Sequence, residues 1–250
     1  MPLLGYILLF SFIGSVVSMI GGILLLADKN FAVKISHFLS SFAAGALLGT
    51  AFFDLLPEAS KFSGSNTDIF LWTLVGLLAF FLLERFIHHH DQGNHPEDKK
   101  SVVPLIVVGD TVHNFIDGVA MGAAFLINIP LGIVTSLAVA AHEIPQEIGD
   151  VGLLLHKGVS GKRIILINFL SAGAAMAGAI LTYFIKDQIE GLLPIALSLT
   201  SGFFIYIAVA NLIPEIHNND NKKISFWETI ILIVGVAAVW LMISILEGKV

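Results

Sequence analysis

The chain contains no cysteine and few charged side chains. Without cysteine, neither a disulfide bond nor a thiolate metal ligand is available, and the redox compartment stays open. Only 13% of the 250 residues are charged and 56% are hydrophobic, whereas a soluble domain is typically about 25% charged. The few basic residues are scattered along a chain of net charge −6, which argues against nucleic acid as a partner. The composition therefore indicates an integral membrane protein.

Apolar segments long enough to cross a bilayer recur along the whole chain. Eight are predicted, at about residues 2–26, 35–57, 68–88, 102–126, 130–155, 161–185, 191–214 and 225–246. The first is interpreted as a helix and not as a signal peptide, because it lacks a basic beginning and is too long for the apolar core of one. The predicted fold class is all-α, a single transmembrane domain over residues 1–250 with a His-containing cytoplasmic loop at 89–101.

Basic residues concentrate on one side of this predicted topology. The loops after helices 1, 3, 5 and 7 hold ten of them, namely Lys29, Lys34, Arg85, Lys99, Lys100, Lys157, Lys162, Arg163, Lys222 and Lys223. The other side holds only Lys61, Lys186 and Lys249. Because positively charged loops stay in the cytoplasm, both termini are expected outside it, and the even number of helices is supported. The short loops favour a prokaryotic inner membrane.

Two segments at a constant offset of 157 residues resemble each other. Gly45–Glu58 reads GALLGTAFFDLLPE and Gly202–Glu215 reads GFFIYIAVANLIPE, so that Asp54 is matched by Asn211. In the predicted topology helix 2 runs outward and helix 7 inward, so the repeat is inverted, as in many secondary transporters. If the repeat covers helices 1–3 and 6–8, helices 4 and 5 are left unique at the centre. A chance likeness between Leu-rich helices that end in Pro-Glu is the alternative.

Helices 4 and 5 carry ionisable residues within predicted membrane spans. Helix 4 contains DTVHNFIDG from Asp110, and helix 5 contains HEIPQEIGD from His142. Such groups in hydrocarbon cost several kcal/mol each unless they face a polar cavity or one another, so they are functional candidates. His113 and Asp117 are four residues apart, as are His142 and Gln146, so each pair shares a helix face. Facing helices would offer imidazole, carboxylate and amide ligands suited to Zn²⁺, Fe²⁺ or Mn²⁺. A polar network that only joins the helices is the alternative.

Other residues are weaker candidates. Pro145 removes a backbone donor and is expected to interrupt helix 5. Further candidates for the ion pathway are Asp54, Asp110, Glu147, Asn168 and Asn211. Helix capping, or bridging between helices, is the alternative for Asp54, Asn168 and Asn211. Candidates for binding metal in the cytoplasmic loop are His88, His89, His90 and His95, with a solvated loop as the alternative.

The motifs HNFIDG and HEIPQE resemble the signature of the ZIP (Zrt/Irt-like) metal transporters, in the branch whose fifth helix reads HEIPHE. The resemblance covers essentially the whole chain and implies eight helices in a 3+2+3 inverted repeat. It also implies transport of zinc, and often iron, manganese or cadmium, into the cytoplasm. By the resemblance, one ion uses His113, Asp117, His142 and Gln146, and a second uses Asn114, Asp117 and Glu143. Gln146 stands where that branch has a second histidine, so affinity or selectivity is expected to differ.

Two other classes of function remain open at this point. The fifth-helix motif nearly spells HExxH, which gives an intramembrane zinc metalloprotease as the alternative, although that chemistry needs a histidine where Gln146 stands. A channel or a metal-sensing receptor is the third class. The expectation is a transporter and not an enzyme, without a cofactor and with the divalent ion as its substrate. Divalent metal ions and the lipid bilayer are the expected partners, with a homodimer as one candidate assembly.

Overall fold

A computed structural model describes residues 2–62, 67–89, 103–156, 158–217 and 222–246. These residues form eight long helical segments and no β-strand. In chain order, α1 is Leu3–Ala27, α2 comprises Lys29–Thr50, Ala51–Leu55 and Leu56–Phe62, α3 is Ile69–His89, α4 is Val103–Ile127, α5 is Ile129–His156, α6 is Gly161–Phe184, α7 comprises Leu193–Tyr206, Ile207–Leu212 and Ile213–His217, and α8 is Lys222–Leu246. The predictions of an all-α chain and of eight helices are confirmed for the described residues.

Five segments are apolar and long enough to cross a membrane on length and composition alone. They are Leu3–Ala27, Lys29–Lys61, Gly161–Phe184, Lys186–Leu212 and Ile224–Leu246. Large apolar side chains lie exposed on several of them, including Phe169 and Leu170 of α6 and Trp240 of α8. Exposed apolar surface on this scale is typical of contact with lipid. Helices α4 and α5 carry the polar motifs and are not among the five.

Single polar residues join consecutive helices. Asp28 separates α1 from α2, and its carboxylate accepts a hydrogen bond of 3.0 Å from the backbone N–H three residues on. Asn128 separates α4 from α5, and its Oδ1 accepts a corresponding bond of 2.7 Å. Both are N-caps, which satisfy backbone donors at the start of the following helix. Nδ2 of Asn128 also donates to Glu58 at 3.1 Å, and Lys61 pairs with Glu58 at 2.6 Å, which ties the α4–α5 connection to the end of α2.

The helices pack in four main pairs: α2 with α8, α3 with α7, α1 with α5, and α4 with α6. Glycines let two of these pairs touch backbone to backbone. A side chain on Gly45 of α2 would collide with the carbonyl of Leu232 in α8, and one on Gly202 of α7 would collide with the carbonyl of Thr73 in α3. Gly45 and Gly202 are separated by the repeat offset of 157 residues.

The same offset recurs at the other two pairs. Gly21 of α1 lies against the backbone of α5 at Ile144, and Gly178 of α6 lies against the backbone of α4 at Phe115. Between α1 and α6, the hydroxyl of Ser15 donates to the carbonyl of Ala172 at 2.9 Å, and these two residues are also 157 positions apart. Close contacts are therefore repeated along the chain with the spacing of the sequence repeat.

Irregular backbone occurs at two positions that the sequence did not predict. Ala51–Leu55 in α2 and Ile207–Leu212 in α7 are π-helical, which widens the turn by one residue. The expected interruption at Pro145 is wrong, because α5 is helical from Ile129 to His156 with the proline inside it. The two π-helical stretches contain Asp54 and Asn211, the residues matched by the repeat.

Candidate metal site

Four ionisable side chains converge where α4 meets α5. His113 and Asp117 come from α4, and His142 and Glu143 come from α5; one ligand atom from each lies within 4.8 Å of all the others. Nε2 of His142 is 3.2 Å from Nε2 of His113 and 3.1 Å from Oδ2 of Asp117. Oε1 of Glu143 is 3.7 Å from the His113 nitrogen and 3.8 Å from the His142 nitrogen. The predicted i, i+4 face of α4 therefore meets the histidine and glutamate of α5.

The cluster is removed from solvent. Exposure is 8% for His113, 3% for Asp117, 0% for His142 and 3% for Glu143. Within the described residues, neither carboxylate oxygen of Glu143 forms a hydrogen bond, and Oδ2 of Asp117 forms none with hydrogen-bond geometry, although Nε2 of His142 lies 3.1 Å away. Buried carboxylate oxygens without donors are costly, and a cation is a chemically suitable partner for them.

The spacing of these atoms suits a small four-coordinate ion. Zinc binds nitrogen and oxygen ligands at about 2.0–2.1 Å, so tetrahedral ligand atoms lie about 3.3–3.4 Å from one another. The five separations that involve a histidine nitrogen run from 3.1 Å, between His142 and Asp117, to 3.8 Å, between His142 and Glu143. Two imidazoles and two carboxylates form a mixed nitrogen and oxygen set that also fits other first-row divalent ions.

Neighbouring groups orient the two imidazoles. Nδ1 of His142 lies 3.2 Å from the carbonyl of Ala138 one turn earlier. With the proton on Nδ1, this contact is a hydrogen bond and the lone pair of Nε2 faces the cluster. Phe80 of α3 packs its ring edge-on against His113 at 5.2 Å between centroids, and Phe204 of α7 lies 6.3 Å from the His142 ring. The aromatic neighbours make this side of the cluster apolar.

The amide residues predicted as ligands lie at the edge of the cluster. Nδ2 of Asn114 donates to Oδ1 of Asp110 at 2.9 Å and to the hydroxyl of Ser171 at 3.3 Å. A carboxylate only accepts hydrogen bonds, so the amide nitrogen must face Asp110, and Oδ1 of Asn114 is left for another partner. Gln146 lies one turn after His142 and is only partly buried, unlike the four clustered side chains.

A second buried polar contact joins α5 to α6. Glu147 and Asn168 are 2% and 4% exposed, and Nδ2 of Asn168 donates to Oε2 of Glu147. Gly22 of α1 leaves room for this pair, since a side chain there would collide with the Asn168 amide. The predicted pathway residues Glu147 and Asn168 are thus in direct contact.

The remaining predicted residues lie elsewhere. Asp54 is buried in the π-helical part of α2, whereas Asn211 in α7 is exposed and donates to Oε2 of Glu84 at 3.3 Å. Neither belongs to the four-residue cluster. His88 and His89 are the last residues of α3, and their side chains are not described; His90, His95 and nearly all of the predicted loop 89–101 lie outside the described residues.

Sequence reasoning missed Ser171, Phe80 and Glu84. Ser171 could have been found, because it lies three residues after Asn168 and on the same face of α6. Phe80 carries no signal of its own, since α3 contains many similar apolar residues. Glu84 was detectable as a carboxylate in a predicted span.

Comparison with known proteins gives a consistent family. The family model described as ZIP Zinc transporter matches residues 3–104 and 90–243. Zinc transporter ZIP6 of Homo sapiens is 35% identical over 175 residues, which cover 65% of this chain and 23% of the relative. Zinc transporter ZIP13 of Pongo abelii is 31% identical over 214 residues, which cover 79% of this chain and 64% of the relative. Zinc transporter ZIP4 of Mus musculus is 43% identical over 119 residues, which cover 48% of this chain and 18% of the relative.

Apolar helices around a buried cluster of two histidines and two carboxylates define a helical membrane protein with a metal-type site. The chain belongs to the ZIP zinc transporter family, as its motifs suggested. This is a family of transporters and not of enzymes, so the metalloprotease alternative is not supported. The chain spans less than two thirds of the length of these three relatives.

Proposed function

We propose that the protein carries zinc across the membrane into the cytoplasm and binds it at His113, Asp117, His142 and Glu143. The four-residue cluster between α4 and α5 is the observation that carries this proposal. Two ionised carboxylates and one divalent cation form a neutral set, which lowers the cost of holding charge inside a membrane. The relatives ZIP6 and ZIP13 are zinc transporters, which supports zinc as the cargo.

The amide residues extend this site. The amide nitrogen of Asn114 donates to Asp110, so its Oδ1 can bind a second ion. Glu143 is a further ligand of this second ion, and Asp117 bridges the two ions. Gln146 completes the coordination of the first ion when its side chain turns inward. An amide oxygen in place of an imidazole makes the site harder, so Mn²⁺ and Fe²⁺ are expected as secondary substrates, with Cd²⁺ as a further one.

The proposed architecture is eight spanning helices in a 3+2+3 inverted repeat, with both termini outside the cytoplasm. The repeat relates α1–α3 to α6–α8 and α4 to α5. Under this relation the α2–α8 pair corresponds to the α3–α7 pair, and the α1–α5 pair corresponds to the α4–α6 pair. The contacts of Gly45 and Gly202, and those of Gly21 and Gly178, are related by the same exchange. Such symmetry supports alternating access, in which two halves rock around a central site.

The two ends of the α4–α5 pair differ in access. Toward the proposed outer side, Met121, Ala124 and Leu131 are 1% exposed or less. Toward the proposed cytoplasmic side, Asp110, Gln146 and Asp150 are partly exposed. This difference supports an ion path that is closed toward the outside and open toward the cytoplasm. Opening to the outside would require the buried apolar residues around Met121, Ala124 and Leu131 to separate.

Uptake of radiolabelled zinc into proteoliposomes tests the function. His113→Ala and His142→Ala are each expected to abolish accumulation, because either change removes a nitrogen ligand. His156→Ala, at the last residue of α5, is the matched control and should retain uptake. Normal uptake by both cluster variants would overturn the proposed site, and absence of zinc uptake by the unaltered protein under any ion gradient would overturn zinc transport.

A further inference from the structure

Aromatic side chains of α3 and α7 border the metal cluster, although neither helix contributes a ligand to it. Phe80 of α3 is 4% exposed, and its ring meets the imidazole of His113 edge-on at 5.2 Å between centroids. Phe204 of α7 is fully buried and lies 6.3 Å from the ring of His142. Each imidazole of the cluster therefore has an aromatic neighbour from outside the α4–α5 pair.

Phe80 is held in place by the contact between α3 and α7. Its ring lies 5.5 Å from that of Phe203 and 5.6 Å from that of Tyr206, both in α7. Gly76 lies one turn before Phe80 on the same face of α3. A side chain on Gly76 would collide with the carbonyl of Leu199 in α7, so the two backbones approach closely at this point. Because Phe80 has α7 on one side and the cluster on the other, its ring has little freedom to move.

Apolar packing continues on the proposed outer side of the cluster. Met121 of α4 and Ala138 of α5 each lie one helical turn from the nearest ligand of their helix. They are 1% and 2% exposed and belong to the same buried core as Phe80. Polar groups lie on the opposite, proposed cytoplasmic side, where Asp110 and Gln146 are partly exposed. Water and further ligands therefore reach the cluster from that side and not past the aromatic rings.

The number of ligands around a bound ion depends on the space and the polar groups beside it. Zinc accepts four ligands in a tetrahedral arrangement, whereas Mn²⁺ and Mg²⁺ prefer six oxygen ligands, some of them water. The cluster offers four protein ligands, and Gln146 adds at most one more. An ion that needs six ligands must therefore recruit water. Apolar rings give such a water no hydrogen-bond partner, and buried water needs two or more of them.

We propose that Phe80 determines the ion specificity of the cluster, because its ring excludes the water ligands that six-coordinate ions require and so favours zinc. Phe80 is a positioning residue: it contacts the imidazole of His113 and is not itself a ligand. The inference rests on the proposed function. It adds to that function the reason why harder ions remain secondary substrates although Gln146 supplies an oxygen ligand.

Cobalt binding to the purified protein tests the role of Phe80 without any need for transport. Co²⁺ can take the place of zinc, and it absorbs visible light strongly when it has four ligands and weakly when it has six. The unaltered protein should give the strong spectrum, and Phe80→Ala, which leaves space beside His113 for water, should weaken it. The ratio of zinc to manganese affinity, with free Mn²⁺ counted by electron paramagnetic resonance, should fall at least about tenfold in Phe80→Ala, the scale seen when groups around a metal are altered.

Further variants separate the exclusion of water from folding. Phe80→Leu keeps a large apolar side chain beside His113 and should retain the strong spectrum. Phe80→Val leaves a smaller gap than Phe80→Ala, so it should give an intermediate spectrum, and it provides the test if Phe80→Ala does not fold. Phe70→Ala, at a residue of α3 that is 74% exposed, is the matched control and should leave the spectrum and the affinity ratio unchanged.

Two results would overturn the role of Phe80: a weak, six-coordinate spectrum in the unaltered protein, or an unchanged spectrum and affinity ratio in both Phe80→Ala and Phe80→Val. His142→Ala shows separately whether cobalt is bound at the cluster, because it removes an imidazole ligand and should alter the spectrum. If His142→Ala leaves the spectrum unchanged, the proposed metal site is wrong and this inference falls with it. If His142→Ala alters the spectrum and the Phe80 variants do not, the site stands and only the role of Phe80 is lost.

Discussion

The Nε2 atoms of His113 and His142 lie 3.2 Å apart across the contact between α4 and α5. At this distance, one imidazole donates a hydrogen bond to the other, or both lone pairs point at a shared cation. Because Nδ1 of His142 faces the carbonyl of Ala138, its Nε2 is suited to accept in either case. In the proposed site, zinc would replace one histidine–histidine hydrogen bond by two metal–nitrogen bonds, and the 3.2 Å separation already suits both.

Gln146→His should shift selectivity toward zinc. Gln146 lies one turn after His142, and an imidazole there would add a nitrogen ligand in place of an amide oxygen. We expect the ratio of zinc to manganese affinity to rise about tenfold or more, the lower end of what metal-site changes produce. Competition titrations of the two ions measure this ratio. Gln146→Asn, which keeps an amide on a shorter side chain, is the control; an unchanged ratio in Gln146→His would remove Gln146 from the site.

Zinc binding should weaken as pH falls. Protons compete with the metal for imidazole and carboxylate, so binding is strongest at high pH and is lost as the ligands become protonated. Two histidines are involved, so the dissociation constant should depend more steeply on pH than a single competing proton allows. The dissociation constant for zinc should be measured at pH values on either side of about 6.5, where histidine ordinarily titrates. Its dependence on pH should be less steep in His113→Ala than in the unaltered protein. A slope that His113→Ala leaves unchanged would mean that His113 is not a ligand.

Larger side chains at Gly45 and Gly202, which the repeat relates, should destabilise the fold to a similar extent in the two halves of the repeat. Gly45→Val meets the carbonyl of Leu232, and Gly202→Val meets that of Thr73. Each is expected to cost about 1–3 kcal/mol, as overpacking does, and to lower the melting temperature of the detergent-purified protein. Gly173→Val is the control, because no atom lies within 4 Å of the added carbon. A strong effect at only one of the two paired positions would argue against equivalent packing in the two halves.

The absence of cysteine makes the proposed orientation directly testable. A single cysteine can be introduced at the exposed residues Glu190, before α7, or Lys162, at the start of α6. With both termini outside, an impermeant thiol reagent should label Glu190→Cys on intact cells and label Lys162→Cys only after the membrane is opened. The unaltered chain gives no background, since it has no thiol. The reverse pattern would invert the topology and the proposed direction of transport.

Much of the fold, and the shared face of His113 and Asp117 in the cluster, could be predicted from the sequence, because both depend on local spacing. Apolar length predicts helices, and the four-residue interval between His113 and Asp117 places them on one face whatever surrounds α4. The rotation of one helix against another could not be predicted from local spacing, because it depends on where the two backbones approach each other. The contact between Glu147 and Asn168 therefore needed the structure, as did the separation of Asp54 and Asn211 from the cluster.

The π-helical stretches mark another limit of sequence reasoning. A proline is a visible signal, yet α5 continues through Pro145 without a break. The irregular backbone lies at Ala51–Leu55 and Ile207–Leu212, which contain neither proline nor glycine. A widened turn depends on tertiary packing and not on a residue that forbids the helix.

X-ray absorption at the zinc edge, recorded on the purified protein, tests most directly whether zinc is held between α4 and α5. The bound ion should show imidazole nitrogen and carboxylate oxygen at about 2.0–2.1 Å, and His142→Ala should remove one imidazole from the signal, while His156→Ala should not. A coordination shell made only of oxygen, or one that His142→Ala leaves unchanged, would contradict the proposed site.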